Sequence, residues 1–499
     1  METIIGGAKK SKKVNKMKRA EVDTEQQSKI KTAKPTREVG LVEPTYYPIS
    51  MKLISVGTGI LESEGSLLFS KNIDYPRFSL GFNHFIHASK NKVGDMFKKF
   101  EGGKKKVYLV MNDFEKYVDE YEESIGNIGK KYFNLDTKPE ILSRAFYKLW
   151  ELFFMFDLID LKKEKFVSAH LAEGPGSFIQ ATMFYRDMYC KKGTSKNDKY
   201  YAVTLHSEDE GKHVPELESK FVSFYEKEKP QRFILHKTYP KEMSGGNPKK
   251  DNGDLTDPKT IELFGGQMNE YADFITADGG FDWVNESVQE QEAFKLIFAQ
   301  IIGAFKLQEK GGSYVCKFFE TFTMTSAKML TILTSLYKEV YLIKPLMSRP
   351  TNSEKYAVCL DFKFSHKEEK YKQLDKKFTN MLKEIHNSKD NIIDLFTDYE
   401  VPKEFLINLT ELNTEISNAQ LWSLNNTFTF INSNNYYGDV YQNRREDQIR
   451  ATNFWTESFY PEVNKLEEHR DKAKNILTYS AKLSDTSYKT LEGIIKESF

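Results

Sequence analysis

The chain has 499 residues and a net charge of +1, and 39% of its residues are apolar and 14% aromatic. This composition supplies a sizeable core and excludes a wholly disordered or fibrous chain, while the length is enough for two to four domains. No apolar signal segment follows the first basic residues and no run approaches the roughly 18 apolar residues of a membrane span, so we expect an intracellular protein with no membrane partner.

Residues 1–40 are predicted to be a basic, disordered arm, because lysine and arginine are frequent there and apolar side chains are few. Such an arm is either a flexible tether or a segment that binds phosphates non-specifically or directs localisation. The segment 41–135 mixes strand-like runs at 51–56 and 106–111 with charged, helical stretches. We interpret it as an α/β extension packed on the next block, with no assignable chemistry.

Residues 136–364 alternate between helical and strand-like patterns, as expected of a doubly wound α/β sheet. The predicted helices lie at 139–158, 176–189, from 258 onward, 287–307 and 323–337. The predicted strands lie at 166–171, 200–205, 232–236, 274–278, 312–319, 340–343 and 356–360. One sheet accounts for this alternation.

A glycine-rich turn, Ala172-Glu-Gly-Pro-Gly-Ser-Phe178, joins a predicted strand to a predicted helix. Its glycines allow the backbone to approach a ligand whose polar groups meet the helix N-terminus. The turn is not the dinucleotide fingerprint G-x-G-x-x-G, since the position that requires the third glycine is Ile179. The proline between the glycines indicates a different cofactor.

Four polar residues, Lys148, Asp278, Lys317 and Glu354, lie in or beside apolar runs. Lys317 lies within a strand-like run, where a buried ammonium group needs a carboxylate partner or loses its proton. Asp278 ends a predicted strand, the position at which open α/β sheets bind ligands. Each residue alone also fits a structural interpretation as a solvated lysine, a turn aspartate or a surface acid. Together with the glycine turn, they predict a functional site.

Residues 365–499 are predicted to be mainly helical, with amphipathic helices at 367–385 and 462–498. Between them, aromatic and basic residues interleave at 436–445 and 453–455. This pattern fits an RNA-binding surface, and it fits equally a helical layer packed on the sheet.

The three cysteines, Cys190, Cys316 and Cys359, are odd in number and far apart, and the histidines are scattered. This distribution does not fit a disulfide framework or a set of metal ligands. We therefore expect a reducing compartment and no bound metal.

Five segments of the central block resemble, in order and spacing, the FtsJ-like RNA 2′-O-ribose methyltransferases. They are 142–149, 170–178, 277–281, 311–317 and 344–356. Within that family they are most similar to the cap-specific mRNA (nucleoside-2′-O-)-methyltransferases of eukaryotes and large cytoplasmic DNA viruses. The resemblance covers nearly the whole central block.

The resemblance implies a class I (Rossmann-like) methyltransferase sheet, S-adenosylmethionine as the methyl donor, and a K-D-K-E tetrad of catalytic residues. On this sequence the tetrad is Lys148, Asp278, Lys317 and Glu354. Lys317 is then the expected base that engages the ribose 2′-hydroxyl, with the two carboxylates orienting the lysines and Lys148 holding the hydroxyl in line. Burial and Lys148 lower the pKa of Lys317 while the carboxylates raise it, so the sequence leaves the sum open.

The resemblance also predicts the residues that hold the donor. They are Glu173, Gly174, Pro175, Gly176, Ser177, Phe178, Asp254 and Asp278. Related chains commonly end the first strand with an aspartate, and here that position is His170, with Glu173 inside the turn, so either side chain could face the donor. The segment Thr204-Leu-His-Ser-Glu208 contains no clear acid for the donor ribose. Asp254 matches the acid at the adenine edge, or it is a loop aspartate.

Contact with RNA is expected at Ser348, Arg349 and Asn352, which lie just before Glu354. Arg349 either pairs with a phosphate or caps the loop. The aromatic residues that would stack on a methylated cap base are too numerous to choose from sequence.

The expected function is transfer of a methyl group to the ribose 2′-hydroxyl of a 5′-terminal nucleotide of capped mRNA, a cap 1-type modification. The expected partners are the capped 5′ end and other capping or transcription proteins. The expected location is the cytoplasm, a viral factory or virion for a viral chain, or the nucleus. Two alternatives stay open: the same chemistry on ribosomal or transfer RNA, and an RNA-binding scaffold with a methyltransferase fold and no turnover.

Overall fold

The computed structural model of the chain describes residues 46–73, 76, 79–99, 110–114, 127–205, 217–228, 231–236, 252–280 and 286–480. They belong to one unit that spans 44–499. The basic arm predicted over 1–40 lies outside the described residues.

An eight-stranded mixed sheet is the centre of the fold. The strands are β1 (Ile49–Lys52), β2 (Leu67–Ser70), β3 (Val167–Leu171), β4 (Lys199–Val203), β5 (Phe233–Leu235), β6 (Ala272–Ala277), β7 (Gln308–Phe318), β8 (Tyr337–Lys344), β9 (Lys355–Phe362) and β10 (Asn391–Leu395). Their order in the large sheet is β1-β8-β9-β7-β6-β3-β4-β5, while β10 and β2 form a separate antiparallel pair.

The direction of the strands divides the large sheet into two parts. β3 runs parallel to β4 and β6, β4 to β5, and β6 to β7, which requires crossover connections. β9 runs antiparallel to β7 and β8, and β1 antiparallel to β8. All five residues of β3 are buried, as expected for a strand covered on both faces. The predicted α/β class with a class I sheet is confirmed.

Helices cover both faces of the sheet. Among the described residues, the helices whose two ends are defined are α1 (Gly59–Glu62), α2 (Leu80–Lys99), α3 (Ala145–Phe156), α4 (Ser177–Tyr189), α5 (Ser219–Glu228), α6 (Pro258–Met268), α7 (Gln289–Glu292), α8 (Phe294–Leu307), α9 (Met324–Leu336), α10 (Glu369–Asn387), α11 (Lys403–Asn432) and α12 (Gly438–Phe459). Tyr200 and Ala202 of β4 lie in one core and Tyr201 and Val203 in the other, as the alternation of a strand requires. Within the described ranges, none of these helices is long and apolar enough to cross a membrane.

The segments that flank the central block contribute to its sheet and its cores. β1 lies at the edge of the sheet with Met51 opposite Leu342 of β8. The backbone N–H of Ser50 donates to Ser480 Oγ at 3.2 Å. The C-terminal region is mainly helical as predicted, and its strand β10 pairs with β2. The domain boundaries at 135/136 and 364/365 stay predictions.

Three predicted elements differ from the structure. The helix predicted from residue 139 begins at Ala145, because Gln180 bonds the backbone of Glu140 and Leu142 in a non-helical conformation. The helix predicted over 287–307 is interrupted at Ala293, between α7 and α8. The strand predicted over 106–111 is wrong at its last two residues, which are helical, and 106–109 lie outside the described residues.

Candidate active site

Polar residues converge where several strands end. The carboxyl ends of β3, β6 and β7 lie in register. Glu173 lies just beyond β3, Asp278 immediately follows β6, and Lys317 is close to the end of β7. Glu354 immediately precedes β9, which runs antiparallel to β7 and therefore begins at the same edge. This carboxyl edge is where open α/β sheets bind ligands.

Lys317 and Asp278 form a buried ion pair. Lys317 Nζ lies 3.2 Å from Asp278 Oδ1 and donates to the Asp278 carbonyl oxygen at 2.7 Å. The two side chains are only 12% and 16% exposed. The hydroxyl of Tyr356, which lies opposite Lys317 in the pairing of β9 with β7, donates to Asp278 Oδ1 at 3.1 Å. Asp278 is therefore held from two sides.

Helix α3 supplies the second ion pair. Lys148 Nζ donates to Glu354 Oε1 at 2.5 Å, and the hydroxyl of Ser348 donates to the same oxygen at 2.9 Å. Lys148 Nζ also lies 6.0 Å from the centre of the Tyr356 ring, whose hydroxyl bonds the first pair. The structure thus brings the four predicted tetrad residues together at one edge of the sheet.

The charges of the two pairs act on one another. Burial alone would lower the pKa of Lys317, but the charges of Asp278 and Glu354 outweigh it and raise this pKa above its ordinary value. Burial would raise the pKa of Glu354, but Lys148 and Lys317 lower it to about 2. At neutral pH the site therefore holds a protonated Lys317 and an ionised Glu354. The sequence alone could not decide whether burial or the carboxylates dominate the pKa of Lys317, and in the structure the carboxylates do.

A buried lysine, Lys344, shapes the loop before Glu354. Its Nζ donates to the backbone and side-chain oxygens of Asn352, both at 2.8 Å, and to the Glu354 carbonyl oxygen at 2.9 Å. It also lies 3.2 Å from Ser348 Oγ. Two of the residues predicted to contact RNA, Ser348 and Asn352, thus fix the loop, and Arg349 lies half-buried on it. Their contacts with RNA stay predictions.

The glycine turn needs glycine at Gly176. Its φ is +109°, which L side chains rarely adopt, and a Cβ there would lie 3.3 Å from both Leu217 and Phe221. The carbonyl oxygen of Pro175, just before it, accepts a hydrogen bond from the backbone N–H of Glu218 at 3.0 Å. The turn is therefore packed against the segment that leads into α5.

Helix α4 begins beside the tetrad. Its first residue, Ser177, shares a hydrogen bond of 2.7 Å with the hydroxyl of Ser143, which lies just before α3. Phe178 is fully buried, and its ring centre lies 5.8 Å from that of Tyr356. The N-terminus of α4, the helix that carries Lys148 and the strand that follows Glu354 are therefore neighbours.

Glu173 and His170, the two candidates for facing the donor, have different environments. Glu173 is 2% exposed and accepts a hydrogen bond from the Thr276 hydroxyl. Burial raises its pKa well above the ordinary value, and the charge of Asp278 raises it further. His170 is fully buried, bonds Ser168 and Thr276, and has its pKa lowered to about 3 by burial. Of the two residues, Glu173 is the one whose pKa is raised by the charge of Asp278.

The charges at this edge suit a cation. Three carboxylates, those of Glu173, Asp278 and Glu354, lie near the two lysines of the tetrad. A positive charge brought close to Glu173 and Asp278 relieves the repulsion that raises the pKa of Glu173. The sulfonium group of S-adenosylmethionine has that charge, so the residues present fit this donor.

The remaining donor residues are less closely connected to the tetrad. Asp254 Oδ1 accepts hydrogen bonds from the backbone N–H of Thr256 at 2.9 Å and from its hydroxyl at 2.8 Å, just before α6. This is the role of a loop aspartate, and contact with adenine stays a prediction. Thr204, after β4, is 9% exposed. The segment 206–208, where an acid for the donor ribose was sought, lies outside the described residues.

Two residues with clear roles in the site were missed from sequence. Lys344 ends a strand of apolar residues, which is the same signal that selected Lys317. Tyr356 lies two residues after Glu354, and alternate residues of a strand share a face, so its proximity to the tetrad was available from the pattern.

Comparisons with known proteins show which family and which relatives this chain is similar to. Residues 141–362 match the FtsJ-like methyltransferase family. The cap-specific mRNA (nucleoside-2′-O-)-methyltransferase 2 of Drosophila melanogaster is 27% identical over 54% of this chain and 37% of its own length. An uncharacterized protein of Acanthamoeba polyphaga mimivirus is 30% identical over 51% of this chain and 30% of its own length.

One further relative is a protein named as inactive. The inactive cap-specific mRNA (nucleoside-2′-O-)-methyltransferase 1B of Caenorhabditis briggsae is 24% identical over 58% of this chain and 32% of its own length. The chain thus spans about a third of the length of these relatives. The matched residues include the glycine turn and all four members of the tetrad. Over residues 141–362, the chain therefore carries an FtsJ-like methyltransferase domain.

Proposed function

We propose that this chain transfers a methyl group from S-adenosylmethionine to the ribose 2′-hydroxyl of a 5′-terminal nucleotide of capped mRNA, a cap 1-type modification. The observation that supports it most is the convergence of two buried lysine–carboxylate pairs beside the glycine turn. The name of the Drosophila relative supports capped mRNA as the substrate.

The donor is proposed to lie at the carboxyl ends of β3 and β6. S-adenosylmethionine supplies a methyl group already activated by its cationic sulfur. Glu173 and Asp278 are proposed to stabilise that charge, the turn Gly174–Phe178 to present backbone groups to the donor, and Asp254 to contact the adenine edge. The glycines of the turn permit the close approach that this requires.

Lys317 is proposed to hold the ribose 2′-hydroxyl and to take its proton while the oxygen gains the methyl group. Only the neutral amine can accept that proton, and the raised pKa makes it the minor form at neutral pH. Lys148 is proposed to keep the hydroxyl in line, while Glu354 fixes Lys148 through the 2.5 Å hydrogen bond. Ser348, Arg349 and Asn352 are proposed to guide the acceptor strand.

The test uses short RNAs with a methylated cap, an unmethylated cap or no cap, each incubated with the full chain and labelled S-adenosylmethionine. We expect label on the 2′-oxygen of the first or second transcribed nucleotide of capped RNA. Cap-independent label at internal nucleotides would instead assign the chemistry to ribosomal or transfer RNA. Donor binding without label on any RNA would assign a scaffold, the outcome suggested by the relative named as inactive.

Lys317→Ala tests the role of the proposed base. We expect methyl transfer to fall by about 10²–10⁴-fold, the usual contribution of a general base, with donor affinity retained. The matched control is Lys338→Ala, which removes an exposed lysine of β8 that pairs with Asp361 of β9. Retention of full transfer by Lys317→Ala would rule out the assignment.

A further inference from the structure

Helix α2 is fixed to the segment that follows Lys317. Glu320, three residues further along the chain, is 2% exposed. His87 Nε2 lies 3.2 Å from Glu320 Oε2, and Lys90 Nζ lies 3.3 Å from Glu320 Oε1. His87 and Lys90 are three residues apart, so one face of α2 presents both to the same carboxylate. Breaking a buried pair of this kind leaves an uncompensated buried charge, so α2 is held firmly here.

Helix α11 is attached to the same region. Asn413 exchanges two hydrogen bonds of 2.6 Å with Thr321. Gln420 Nε2 donates to the Thr351 carbonyl oxygen at 3.1 Å. Val93 of α2 packs in one cluster with Leu424 of α11. Both helices lie outside the residues that match the methyltransferase family, and together they cover the segments that follow Lys317 and precede Glu354.

The opposite face of α2 is exposed. Phe85 is 61% exposed, whereas the next residue, Ile86, is fully buried. Lys92 is exposed and lies seven residues after Phe85, which is two turns along the same face. α2 also packs against the turn at 286–288, in the connection that follows Asp278. The exposed aromatic ring and amine therefore lie on a rigid helix at the catalytic edge of the sheet.

An aromatic ring beside an amine has the chemistry that single-stranded nucleic acid recognises. A base stacks favourably on an aromatic side chain, and a protonated amine neutralises a phosphate. The proposed substrate is a chain that continues beyond the methylated ribose, and α2 contacts the segments that follow Asp278 and Lys317. A partner protein would explain the exposed ring of Phe85, but it would not explain why α2 lies beside the segments that follow Asp278 and Lys317.

We infer that α2 is the surface on which the RNA downstream of the methylated nucleotide lies, with a base stacked on Phe85 and a phosphate near Lys92. This inference rests on the proposed function. It assigns to the segment before the matched domain a role in holding the transcript.

The test compares a capped dinucleotide with a capped single-stranded RNA of about twelve nucleotides, within the usual span of single-strand binding sites. Phe85→Ala should raise the ratio of KM for the long RNA to KM for the short RNA about tenfold, while Phe85→Trp should restore it. Lys92→Gln should reduce the salt dependence of long-RNA binding, with a slope lower by about 0.7.

The matched control is Tyr271→Ala, which removes another exposed aromatic ring, one that precedes β6 at the opposite edge of the sheet. Its KM ratio should equal that of the unaltered chain. An equal effect of Phe85→Ala on both RNAs, or none on either, would overturn the inference, and the second result would favour a protein partner for this face. If the unaltered chain methylates no RNA, the proposed function fails, and binding of the long RNA with and without Phe85 still decides the role of α2.

Discussion

The proton on Lys317 controls the chemistry proposed for this site. Asp278 and Glu354 raise the pKa of Lys317 because both place negative charge near its ammonium group. The same charges hold the lysine in place. The ion pairs therefore fix the geometry of Lys317 but reduce the fraction of it that is neutral. A cation bound beside Asp278 would lower the pKa of Lys317 and so increase the neutral fraction.

The rate of transfer should rise with pH. Since the base must be neutral and its pKa is raised, the single-turnover rate should increase from neutral pH into the alkaline range and level off only above the pKa of Lys317. Glu354→Gln removes one of the charges that raise this pKa, so its profile should bend at lower pH, with a lower maximum because Lys148 loses its partner. A profile that is flat, or that moves to higher pH in this variant, would contradict the role of Lys317.

Binding of the donor should release a proton from Glu173. Burial and Asp278 raise its pKa and so favour the protonated group before the donor arrives, whereas the sulfonium charge favours its ionised form. Calorimetry in buffers of different ionisation enthalpy should detect the proton with S-adenosylmethionine and much less of it with S-adenosylhomocysteine, which has no sulfonium charge. Glu173→Gln should abolish the release and weaken the charged ligand about tenfold more than the neutral one, the equivalent of one pKa unit. Equal weakening of both ligands would place the charge elsewhere.

Residue patterns in the sequence identify part of this site and miss the rest for a physical reason. Lys317 and Asp278 are visible because a charged residue interrupts or ends an apolar strand. Lys344 has the same pattern, yet it bonds to carbonyl and amide oxygens of its own loop, and no pattern separates a structural lysine from a catalytic one. The pKa values depend on distances between elements, which a linear pattern does not contain.

At the scale of elements, the two glycines after β6 control how closely that strand approaches its neighbours. A Cβ on Gly280 would lie 3.3 Å from Lys317 Nζ and 3.7 Å from its Cε. A Cβ on Gly279 would lie 2.5 Å from Gln300 Oε1 and 3.0 Å from Leu296 Cδ2. The first contact meets the flexible end of the Lys317 side chain, and the second meets the packed face of α8.

Alanine at these two positions should therefore affect different properties. Gly280→Ala should displace Lys317 and lower kcat by up to about 10²-fold with little change in the free energy of unfolding. Gly279→Ala should lower the free energy of unfolding by about 1–3 kcal/mol through overpacking. Urea unfolding and single-turnover kinetics on both variants check the contrast. If the Gly280→Ala variant is unfolded or fully active, then a side chain at position 280 does not act by displacing Lys317.

The types of the elements were more predictable than their bounds. Short runs of mainly apolar and small residues identify β3, β6 and the second half of β7, since these residues are covered on both faces of the sheet. The start of α3 depends on Gln180, which bonds the backbone of the preceding segment from another helix. Such long-range hydrogen bonds override the local helical pattern. Long-range hydrogen bonds also pair β10 with β2, two strands that are far apart in the chain.

At the scale of the whole molecule, the predicted central block shares its cores with both flanks. Met51 and Leu53 from the first flank, and Phe378, Leu382 and Leu409 from the second, belong to the same core cluster as the strands. β1 also covers the edge of β8. The motifs in the sequence identify the central block 136–364. They do not show that the flanking segments pack into its core, because apolar positions on a helix do not specify which surface they contact.

The fragment 136–364 should therefore fail to fold alone. Removing both flanks exposes apolar core residues and an unpaired sheet edge, so we expect aggregation or loss of a cooperative thermal transition. The control fragment 44–499 keeps the whole unit and should unfold like the full chain. Size-exclusion chromatography and circular dichroism provide the measurements. A monomeric 136–364 fragment with one sharp transition would show that the predicted boundaries delimit an autonomous domain.

The hydrogen bond between Ser50 and Ser480 joins positions that are 430 residues apart in the chain. A ribosome that adds about 5–20 residues per second needs roughly 20–90 s to pass from one to the other. For roughly the first two thirds of that time β8, the partner of β1, is not yet complete, because β8 ends at Lys344. The earliest strand of the described chain is thus among the last to be secured, and an unpaired strand is open to wrong partners. The yield of active protein in a cell should accordingly depend on how well this nascent segment is protected until Ser480 has been made.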